Sequence, residues 1–224
     1  MITAKNITKS YGNKAYLKNV SLHLDAGRSL AVVGENGAGK TTLLKILATA
    51  SVPDSGMLTI GGIDALQNAA AVRERLGYVP QGIALMQELS VKDNLYYWMK
   101  HKDKAVYDTV MDIIGLKDVE KKKVARLSGG MKRRLNIGAS LVVRPSLLIL
   151  DEPLAGVDIA NRRRIMTSLS ALKQSGTAII FTSHYIDEMR TLADEMIALK
   201  EGTVTYCGPM DFDSLADAIR RYTA

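Results

Sequence analysis

Short apolar runs separated by longer mixed stretches set the pattern of this chain. Three of these runs are rich in branched residues and predict buried strands, at residues 29–33, 147–150 and 178–181. A small, partly antiparallel sheet is predicted from three further segments that alternate or run apolar, at residues 2–8, 17–24 and 57–60. The predicted fold class is therefore α/β, with a mostly parallel core sheet flanked by helices and a small antiparallel β-subdomain.

Helical patterns occupy most of the remaining chain. Residues 41–50 predict a helix directly after the first buried strand, and residues 158–174 predict another. Residues from about 83 to 145 are mostly helical in pattern, which predicts a helical subdomain inserted into a single domain of residues 1–224. A short helical tail is predicted after Gly208.

The loop between the first buried strand and the following helix matches a phosphate-binding pattern at every fixed position. Its sequence is Gly34-Glu-Asn-Gly-Ala-Gly-Lys-Thr41, which fits G-x-x-x-x-G-K-[ST] between a strand and a helix. Its glycines let the backbone approach a ligand closely, so that N–H groups and the start of the helix face the phosphates. Lys40 is predicted to contact the β- and γ-phosphates, and the Thr41 hydroxyl to bind Mg²⁺. The predicted nucleotide-binding residues of this segment are Gly34, Asn36, Gly37, Ala38, Gly39, Lys40, Thr41 and Thr42.

Two acidic residues follow the second buried strand. Asp151 stands at the carboxyl end of that strand, where ligands bind in open parallel sheets, and it is predicted to hold Mg²⁺ directly or through water. Its neighbour Glu152 is predicted to polarise the water that attacks the γ-phosphate. The alternative is a pair of surface acids without such a role, and the phosphate loop upstream weighs against it.

A histidine follows the third buried strand. His184 comes directly after Thr182 and Ser183, and it is predicted to contact the γ-phosphate or to orient the attacking water. A lone histidine is more often a helix-start or core residue, but its place after a buried strand favours the functional interpretation. His23 and His101 have no such context and are interpreted as structural.

A further short motif lies between the nucleotide-binding segments. Residues 127–131 are Leu-Ser-Gly-Gly-Met, and together with the motifs above they resemble the nucleotide-binding subunit of an ATP-binding cassette (ABC) transporter. The resemblance runs from about Tyr11 to about Gly208, and it implies a P-loop NTPase fold with ATP and Mg²⁺ as cofactors. The chain departs from the family at Met131, where the motif usually ends in Gln, because a thioether cannot make an amide's hydrogen bonds.

The resemblance implies roles for further residues. Tyr11 resembles the aromatic residue that stacks on adenine, with an exposed loop tyrosine as the alternative. Gln81 resembles the glutamine that senses Mg²⁺ and begins the helical subdomain. The segment Ser128, Gly129 and Gly130 resembles the motif that binds the γ-phosphate, although Ser128 is also a good helix N-cap.

In the family, two ATP molecules are held between two subunits, head to tail. The resemblance therefore implies a nucleotide-dependent dimer with a second copy of this chain or with a homologous ATPase subunit. Residues 155–158 resemble the loop that crosses to the second subunit, and Asp158 also suits the N-cap of the following helix. The implied catalytic residues are Glu152, His184, Lys40 and Gln81, and the implied metal ligands are Thr41, Gln81 and Asp151.

The implied function is ATP hydrolysis that powers a membrane transporter. Residues 127–135 look most like subunits of bacterial exporters, so the expected partner is an integral membrane permease that is a separate chain. The alternative is a soluble ABC-type ATPase acting on the ribosome or on nucleic acid, but such proteins usually carry two cassettes or long coiled-coil insertions. A generic P-loop switch is disfavoured because the sequence has no N-K-x-D guanine motif. No nucleic acid is expected as a partner.

Composition and charge indicate the location. No run approaches the ~18 apolar residues of a membrane helix, and the first residues lack the apolar segment of a secretory signal. The single Cys207 is expected to be a buried thiol in a strand. Together these features predict a chain in the cytoplasm, and the resemblance to a transporter subunit implies a peripheral position at the cytoplasmic face of the cell membrane.

The net charge of +7 suits an anionic partner such as a nucleotide or lipid headgroups. Three basic clusters spread along the chain are interpreted as solvated helix faces, at residues 121–123, 132–134 and 162–164.

Residues 86–99 concentrate aromatic and methionine side chains. Ser90 and Asp93 within this segment have the spacing of a capping box, which predicts that a helix begins there. The apolar residues of the segment are interpreted either as core or as a groove that receives a helix from a membrane subunit.

Overall fold

The computed structural model describes residues 1–210. In chain order its strands are β1 (Ile2–Tyr11), β2 (Lys14–Leu24), β3 (Ser29–Gly34), β4 (Ser55–Ile60), β5 (Ile63–Asp64), β6 (Leu76–Val79), β7 (Leu147–Asp151), β8 (Ala178–Thr182), β9 (Glu195–Lys200) and β10 (Thr203–Pro209). Its helices are α1 (Lys40–Leu47), α2 (Ala69–Arg73), α3 (Val91–Trp98), α4 (Lys104–Ile114), α5 (Gly129–Leu141), α6 (Ile159–Gln174) and α7 (Ile186–Leu192), with short 3-10 turns at Lys117–Val119 and Val124–Arg126. None of the helices in this part of the chain is long and apolar enough to cross a membrane. The helical tail predicted after Gly208 falls on residues 211–224, outside the described residues.

A six-stranded sheet runs through the centre of the molecule, in the order β10-β9-β3-β8-β7-β6. Its strands are parallel to their neighbours, except that β10 pairs antiparallel with β9 at one edge. A second sheet, in the order β2-β1-β4-β5, is antiparallel throughout. The prediction of an α/β fold with a mostly parallel core sheet and a small antiparallel sheet is therefore confirmed.

Both faces of the central sheet are buried, because successive residues of its inner strands enter two different hydrophobic cores. In β3, Ala31 and Val33 belong to the core that also contains residues of α3 to α7. Leu30 and Val32 belong to the core that also contains residues of α1 and of the antiparallel sheet. This arrangement explains why the three central strands are continuous apolar runs rather than alternating ones.

Helix α1 is shorter than the sequence pattern predicts. It ends at Leu47, because Thr49 adopts a left-handed conformation with φ of 55°. Arg73 holds Thr49 in this conformation, since its Nε donates to Thr49 Oγ1 at 3.0 Å and its Nη2 donates to the Thr49 carbonyl oxygen at 2.6 Å. A β-branched residue rarely adopts positive φ, so the apolar pattern gave no indication that the helix would end there.

Helices α3, α4 and α5 lie within the segment of residues 83–145. Helix α3 begins with the predicted cap, because Ser90 Oγ accepts the Asp93 N–H at 3.0 Å and donates to Asp93 Oδ2 at 2.6 Å. The three helices share a hydrophobic core with one face of the central sheet. The treatment of this segment as an inserted subdomain stays a prediction.

Cys207 is exposed, so the prediction of a buried thiol is wrong. The residue does lie in a strand, but β10 is an edge strand whose residues alternate between half-buried and exposed positions. Cys207 occupies one of the exposed positions.

Candidate active site

Three neighbouring strands end at one edge of the central sheet, and a predicted nucleotide-binding segment follows each of them. Strand β3 leads into the phosphate loop, β7 ends at Asp151, and β8 ends at Thr182. Strand β8 lies between the other two, and Asp151 pairs in register with Thr182. Because parallel strands end at the same edge, the fold brings these segments together at the place where ligands bind in such sheets.

The phosphate loop is packed closely against its own fold. Gly34, Gly37 and Gly39 have positive φ values of 150°, 85° and 105°. A Cβ atom at Gly34 would collide with the Leu199 carbonyl oxygen, and one at Gly39 with the Tyr16 carbonyl oxygen. The N-cap residue of α1 is Gly39, which has no side chain to cap the helix, so the first N–H groups and the positive end of the helix dipole suit a phosphate.

Lys40 reaches back over the phosphate loop. Its Nζ donates to the carbonyl oxygens of Gly34 at 2.6 Å and Glu35 at 2.9 Å. Burial lowers the pKa of Lys40, while the charges of Glu152 and Asp151 oppose that shift. The ammonium therefore lies within the field of both acidic residues, where a phosphate would offer it stronger, charge-assisted hydrogen bonds than the two carbonyls do.

Thr182 joins the two acidic residues, and the sequence reasoning gave it no role. Its hydroxyl donates to Asp151 Oδ1 at 2.9 Å and accepts the Glu152 N–H at 2.8 Å. Asp151 and Thr182 are both buried. The only available signal was a hydroxyl residue at the end of a predicted strand, and its meaning depends on which strand lies beside it.

Glu152 combines a strained backbone with a contact to the candidate histidine. Its φ of 49° is left-handed, a conformation that costs free energy and is concentrated at functional sites. His184 Nε2 lies 2.9 Å from Glu152 Oε1. The structure thus brings together the residue predicted to polarise water and the residue predicted to contact the γ-phosphate.

The chemistry of Asp151 fits a Mg²⁺ ligand. Its Oδ1 accepts the Thr182 hydroxyl, whereas its Oδ2 is buried and has no hydrogen-bond partner in the described part of the chain. A buried carboxylate oxygen without a partner is costly, and a cation or ordered water relieves that cost. Residues 1–210 contain no group of three or more His, Cys, Asp or Glu arranged to hold a metal. The other ligands would therefore be hydroxyl, amide, phosphate or water oxygens, which Mg²⁺ accepts.

Tyr11 is the last residue of β1. Its ring is exposed and packs edge-on against Tyr16, with the ring centroids 5.3 Å apart. The Tyr16 carbonyl in turn contacts the backbone at Gly39. Tyr16 therefore links the aromatic residue predicted to stack on adenine to the backbone of the phosphate loop.

Gln81 lies two residues after β6 and is exposed. Within the described residues, its side chain makes no hydrogen bond to Lys40, Asp151 or Glu152. Its carbonyl oxygen accepts Nη1 of Arg133 at 2.6 Å. Burial lowers the pKa of Arg133, and the charges of Glu152 and Asp151 oppose that shift. Arg133, which the sequence analysis placed on a solvated helix face, is half-buried and links the Gln81 segment to α5 near the acidic residues.

Two arginines of the basic clusters are largely buried. Arg134 is only 8% exposed and donates to the Ile114 carbonyl oxygen at 2.7 Å. The Arg162 side chain is 22% exposed and lies 3.5 Å from Glu188. The interpretation of these clusters as solvated helix faces is wrong for both residues, because a run of basic residues does not indicate which members face the interior.

The segment Ser128–Gly130 stands apart from the other motifs. Ser128 is exposed and caps α5 by accepting the Met131 N–H at 3.3 Å. Within residues 1–210, none of its three residues hydrogen-bonds with the phosphate loop. Met131 is half-buried and packs against the core, so this departure from the family pattern places the side chain in an apolar environment.

Comparison with known proteins identifies the family. The sequence profile described as "ABC transporter" matches residues 17–155, which is more than half of the chain. The chain belongs to the ABC transporter family. It is an ATP-binding subunit of an ABC transporter and an ATPase, so a generic P-loop switch is excluded.

Relatives of this ABC ATPase carry both resistance and import names. The linearmycin resistance ATP-binding protein LnrL of Bacillus subtilis (strain 168) is 38% identical, over 93% of this chain and 69% of that protein. The daunorubicin resistance ATP-binding protein DrrA3 of Streptomyces coeruleorubidus is 36% identical, over 94% of this chain and 68% of that protein. The molybdenum import ATP-binding protein ModC of Shewanella oneidensis is also 36% identical, over 92% of this chain and 58% of that protein.

A solved structure agrees with the fold of the ABC ATPase. The ATP-binding cassette MJ0796, described as dimeric in a post-hydrolysis state bound to ADP and Pi, has a TM-score of 0.86. The similarity covers 94% of this chain and 99% of that chain at 24% sequence identity. At this identity the likeness establishes the ABC cassette fold.

Proposed function

We propose that this ABC ATPase powers a membrane exporter and that a second ATPase subunit completes its catalytic site. The observation that carries the proposal is the division of its motifs. The phosphate loop, Asp151, Glu152 and His184 meet at one edge of the central sheet. The segment Ser128–Gly130, in which Ser128 and Gly129 are exposed, makes no hydrogen bond with the phosphate loop within residues 1–210. An ATP site that uses every motif therefore needs another subunit.

Each residue at this edge of the central sheet has a distinct role in the proposed reaction. The N–H groups of the loop and the Lys40 ammonium bind the phosphates, and the exposed Tyr11 ring stacks on adenine. Glu152 orients and polarises the attacking water, and His184 holds Glu152 while it contacts the γ-phosphate. The rate enhancement then comes from positioning and from fixed charges aimed at the transferring phosphoryl group.

Mg²⁺ would be held by Asp151 Oδ2, the Thr41 hydroxyl and the Gln81 side chain. Bound there, the ion would neutralise charge on the phosphate oxygens. Thr182 supports this arrangement because it occupies Asp151 Oδ1 and leaves the other oxygen as the ligand.

Two subunits would close on ATP. Ser128, Gly129 and Gly130 of one subunit would bind the γ-phosphate in the other, because they begin α5 and their N–H groups lie at the positive end of its dipole. Phosphate charge would join the two surfaces, and hydrolysis followed by phosphate release would separate them. Asp158, in the loop expected to cross between subunits, caps α6 by accepting the Asn161 N–H at 3.0 Å, so the loop has a fixed anchor.

A groove beside α3 is the contact that we assign to the membrane permease. Leu95 is part of the core, but Tyr97 and Trp98 on the same helix are exposed. Trp98 lines a largely apolar groove whose other walls include Leu76, Tyr78, Ala84, Ala139 and Val143. Exposed aromatic residues beside such a groove suit an apolar helix from a partner chain.

The direction of transport is inferred from the relatives and from residues 127–135. LnrL and DrrA3 are named resistance proteins, and outward movement of a toxic compound is one way in which a transporter gives resistance. ModC is as similar as DrrA3 but carries an import name, so identity alone does not decide the direction. The higher identity to LnrL and the exporter-like segment together favour an exporter, with this subunit at the cytoplasmic face of the membrane.

The proposed partner can be tested by purifying the tagged chain from detergent-solubilised membranes and identifying what accompanies it. We expect a polytopic membrane protein in stoichiometric amount, encoded as a separate chain. The double variant Tyr97→Ala/Trp98→Ala is expected to lose that partner while it keeps ATP-dependent dimerisation. Recovery with ribosomes, with nucleic acid or with no partner would contradict the permease assignment.

A further inference from the structure

The imidazole of His184 projects from a short turn whose other two residues have contacts that the proposed function does not use. The His184 side chain is 54% exposed, and its hydrogen bond goes to Glu152. Such an exposed ring cannot fix its own position. The position of the imidazole therefore depends on how the turn of residues 183–185 is held.

Glu188 in α7 holds this turn through a hydrogen bond to Ser183. Ser183 Oγ donates to Glu188 Oε2 at 2.5 Å and accepts the Tyr185 N–H at 3.0 Å. Glu188 is buried, so solvent does not compete for the bond. The two hydrogen bonds fix the backbone on both sides of His184.

Arg162, near the start of α6, contacts the segment of residues 183–185 from a second helix. Its guanidinium carbon lies 4.0 Å from the centroid of the Tyr185 ring, a cation–π contact. Its Nε lies 3.5 Å from Glu188 Oε1, so the arginine also pairs with the residue that binds Ser183. Its Nη2 donates to the Val157 carbonyl oxygen at 3.5 Å, in the loop that precedes α6.

The ion pair between Arg162 and Glu188 is poorly explained by stability alone. Glu188 Oε1 is buried and has this charge contact but no hydrogen bond in the described residues. Burial raises the pKa of Glu188, although the Ser183 hydroxyl and the Arg162 charge oppose the shift. Buried ion pairs are commonly no more stabilising than well-packed apolar residues, so a role in positioning accounts better for this pair.

We propose that Glu188 and Arg162 are positioning residues for His184. They hold the turn of residues 183–185 so that the imidazole meets Glu152. This inference rests on the roles that the proposed function gives to His184 and Glu152. It adds a mechanical link from the loop before α6 to the histidine, through the contact between Arg162 and the Val157 carbonyl.

The first test compares steady-state ATP hydrolysis by the Glu188→Gln and Ser183→Ala variants with that of Asp187→Asn. Asp187 is an exposed neighbour of Glu188 in the same helix turn and serves as the matched control. We expect kcat to fall roughly three- to thirtyfold in the first two variants, less than the ~10²-fold cost of a 1 Å misplacement, with KM within about twofold. Gln keeps an acceptor for the Ser183 hydroxyl, so Glu188→Gln tests the charge contact with Arg162 and Ser183→Ala tests the hydrogen bond. The double variant should lose less than the two single losses combined, because both changes loosen the same turn.

A second series keeps the inference testable if Glu188→Gln does not fold. Arg162→Leu should lower kcat, and Arg162→Lys should recover part of the loss because it retains the charge beside Glu188. Arg163 is exposed in the same turn of α6, so Arg163→Leu serves as the control and should leave kcat unchanged.

Wild-type kcat in folded Glu188→Gln and Arg162→Leu proteins would overturn the inference, and so would a rise in KM with no change in kcat. Including His184→Ala separates this result from a failure of the proposed function. A His184→Ala protein that hydrolyses ATP at the wild-type rate would show that the histidine itself has no role. If His184→Ala is slow but Arg162→Leu hydrolyses ATP at the wild-type rate, only the positioning role of Arg162 and Glu188 is refuted, and the role of His184 stands.

Discussion

At the residue scale, one hydroxyl serves both acidic residues of the site. Thr182 donates to Asp151 and accepts the N–H of Glu152, so it fixes a candidate metal ligand and the strained backbone of the candidate base together. Glu152 has a positive φ. Its N–H lies beside the buried end of β7, so this N–H needs a hydrogen-bond partner. The geometry of the acidic pair therefore depends on a neutral residue of the adjacent strand.

Replacing Thr182 with Val should separate stability from activity. The variant keeps the shape but leaves buried polar atoms of Asp151 and Glu152 without a partner, which costs about 1–3 kcal/mol of unfolding free energy. We expect kcat to fall at least tenfold as well, measured by phosphate release at saturating ATP.

Thr177→Val is the matched control. Thr177 is also buried, lies just before the opposite end of β8, and donates to a carbonyl oxygen at 3.2 Å. It should lose stability without a comparable loss of kcat, and equal kcat losses in the two variants would contradict the account.

Motif spacing was sufficient to predict Lys40, Asp151 and Glu152 as candidates, because each belongs to a local pattern of strand, loop and helix. Thr182 and Glu188 could not be predicted in this way. Their partners lie on other elements, and only the order of the strands and the packing of α6 against α7 bring them into contact. Local patterns specify the candidate ligand-binding groups, whereas the groups that orient them are specified by the fold.

At the element scale, Asp194 ties the start of β3 to the end of α6. Its Oδ2 accepts the Ser29 N–H at 2.9 Å, and its Oδ1 accepts Lys173 Nζ at 3.0 Å. Burial alone would raise the pKa of Asp194, but the hydrogen bonds from Lys173 and Ser29 outweigh burial and lower it. This anchor fixes the strand that leads into the phosphate loop.

The Asp194→Asn variant should be less stable by about 1–3 kcal/mol at pH 7, as expected for loss of a part-buried charged hydrogen-bond partner. Because the folded pKa lies below the unfolded value of about 3.9, the carboxylate stabilises the fold above that pH and loses its effect as the pH falls through the folded pKa. The difference in unfolding free energy between the variant and the wild type, measured by urea unfolding, should therefore shrink below about pH 4.

The control is Asp112→Asn, which breaks an exposed pair with Lys117 and should change the unfolding free energy by less than about 0.5 kcal/mol. A difference for Asp194→Asn that does not depend on pH would contradict the ionic explanation.

Apolar runs predicted the three central strands well, because strands buried on both faces leave a strong signal in composition. The end of α1 was missed because it is set by Arg73, which binds the backbone and side chain of Thr49 from another helix. Cys207 was predicted to be buried because its strand was recognised but its place at the sheet edge was not. Element type follows from local pattern, while element ends and exposure depend on neighbours.

At the scale of the whole molecule, two surfaces within residues 1–210 are the ones that we propose for other chains. One carries Ser128 at the exposed start of α5, and the other is the groove beside Trp98. The sequence predicted the first through its motif. It left the second open, because the residues of α3 divide between core and surface only once the helix is packed.

In the proposed function, Glu152 drives hydrolysis in a site that two subunits share. The most direct measurement follows the oligomeric state and ATP hydrolysis of the Glu152→Gln variant together, with Lys40→Ala as the control that should bind ATP poorly. We predict that Glu152→Gln loses at least ~10²-fold in kcat, as expected for loss of a general base, and elutes as a dimer only when ATP is present. Lys40→Ala should stay monomeric in ATP. Hydrolysis by Glu152→Gln at the wild-type rate, or a monomer at saturating ATP, would contradict the account.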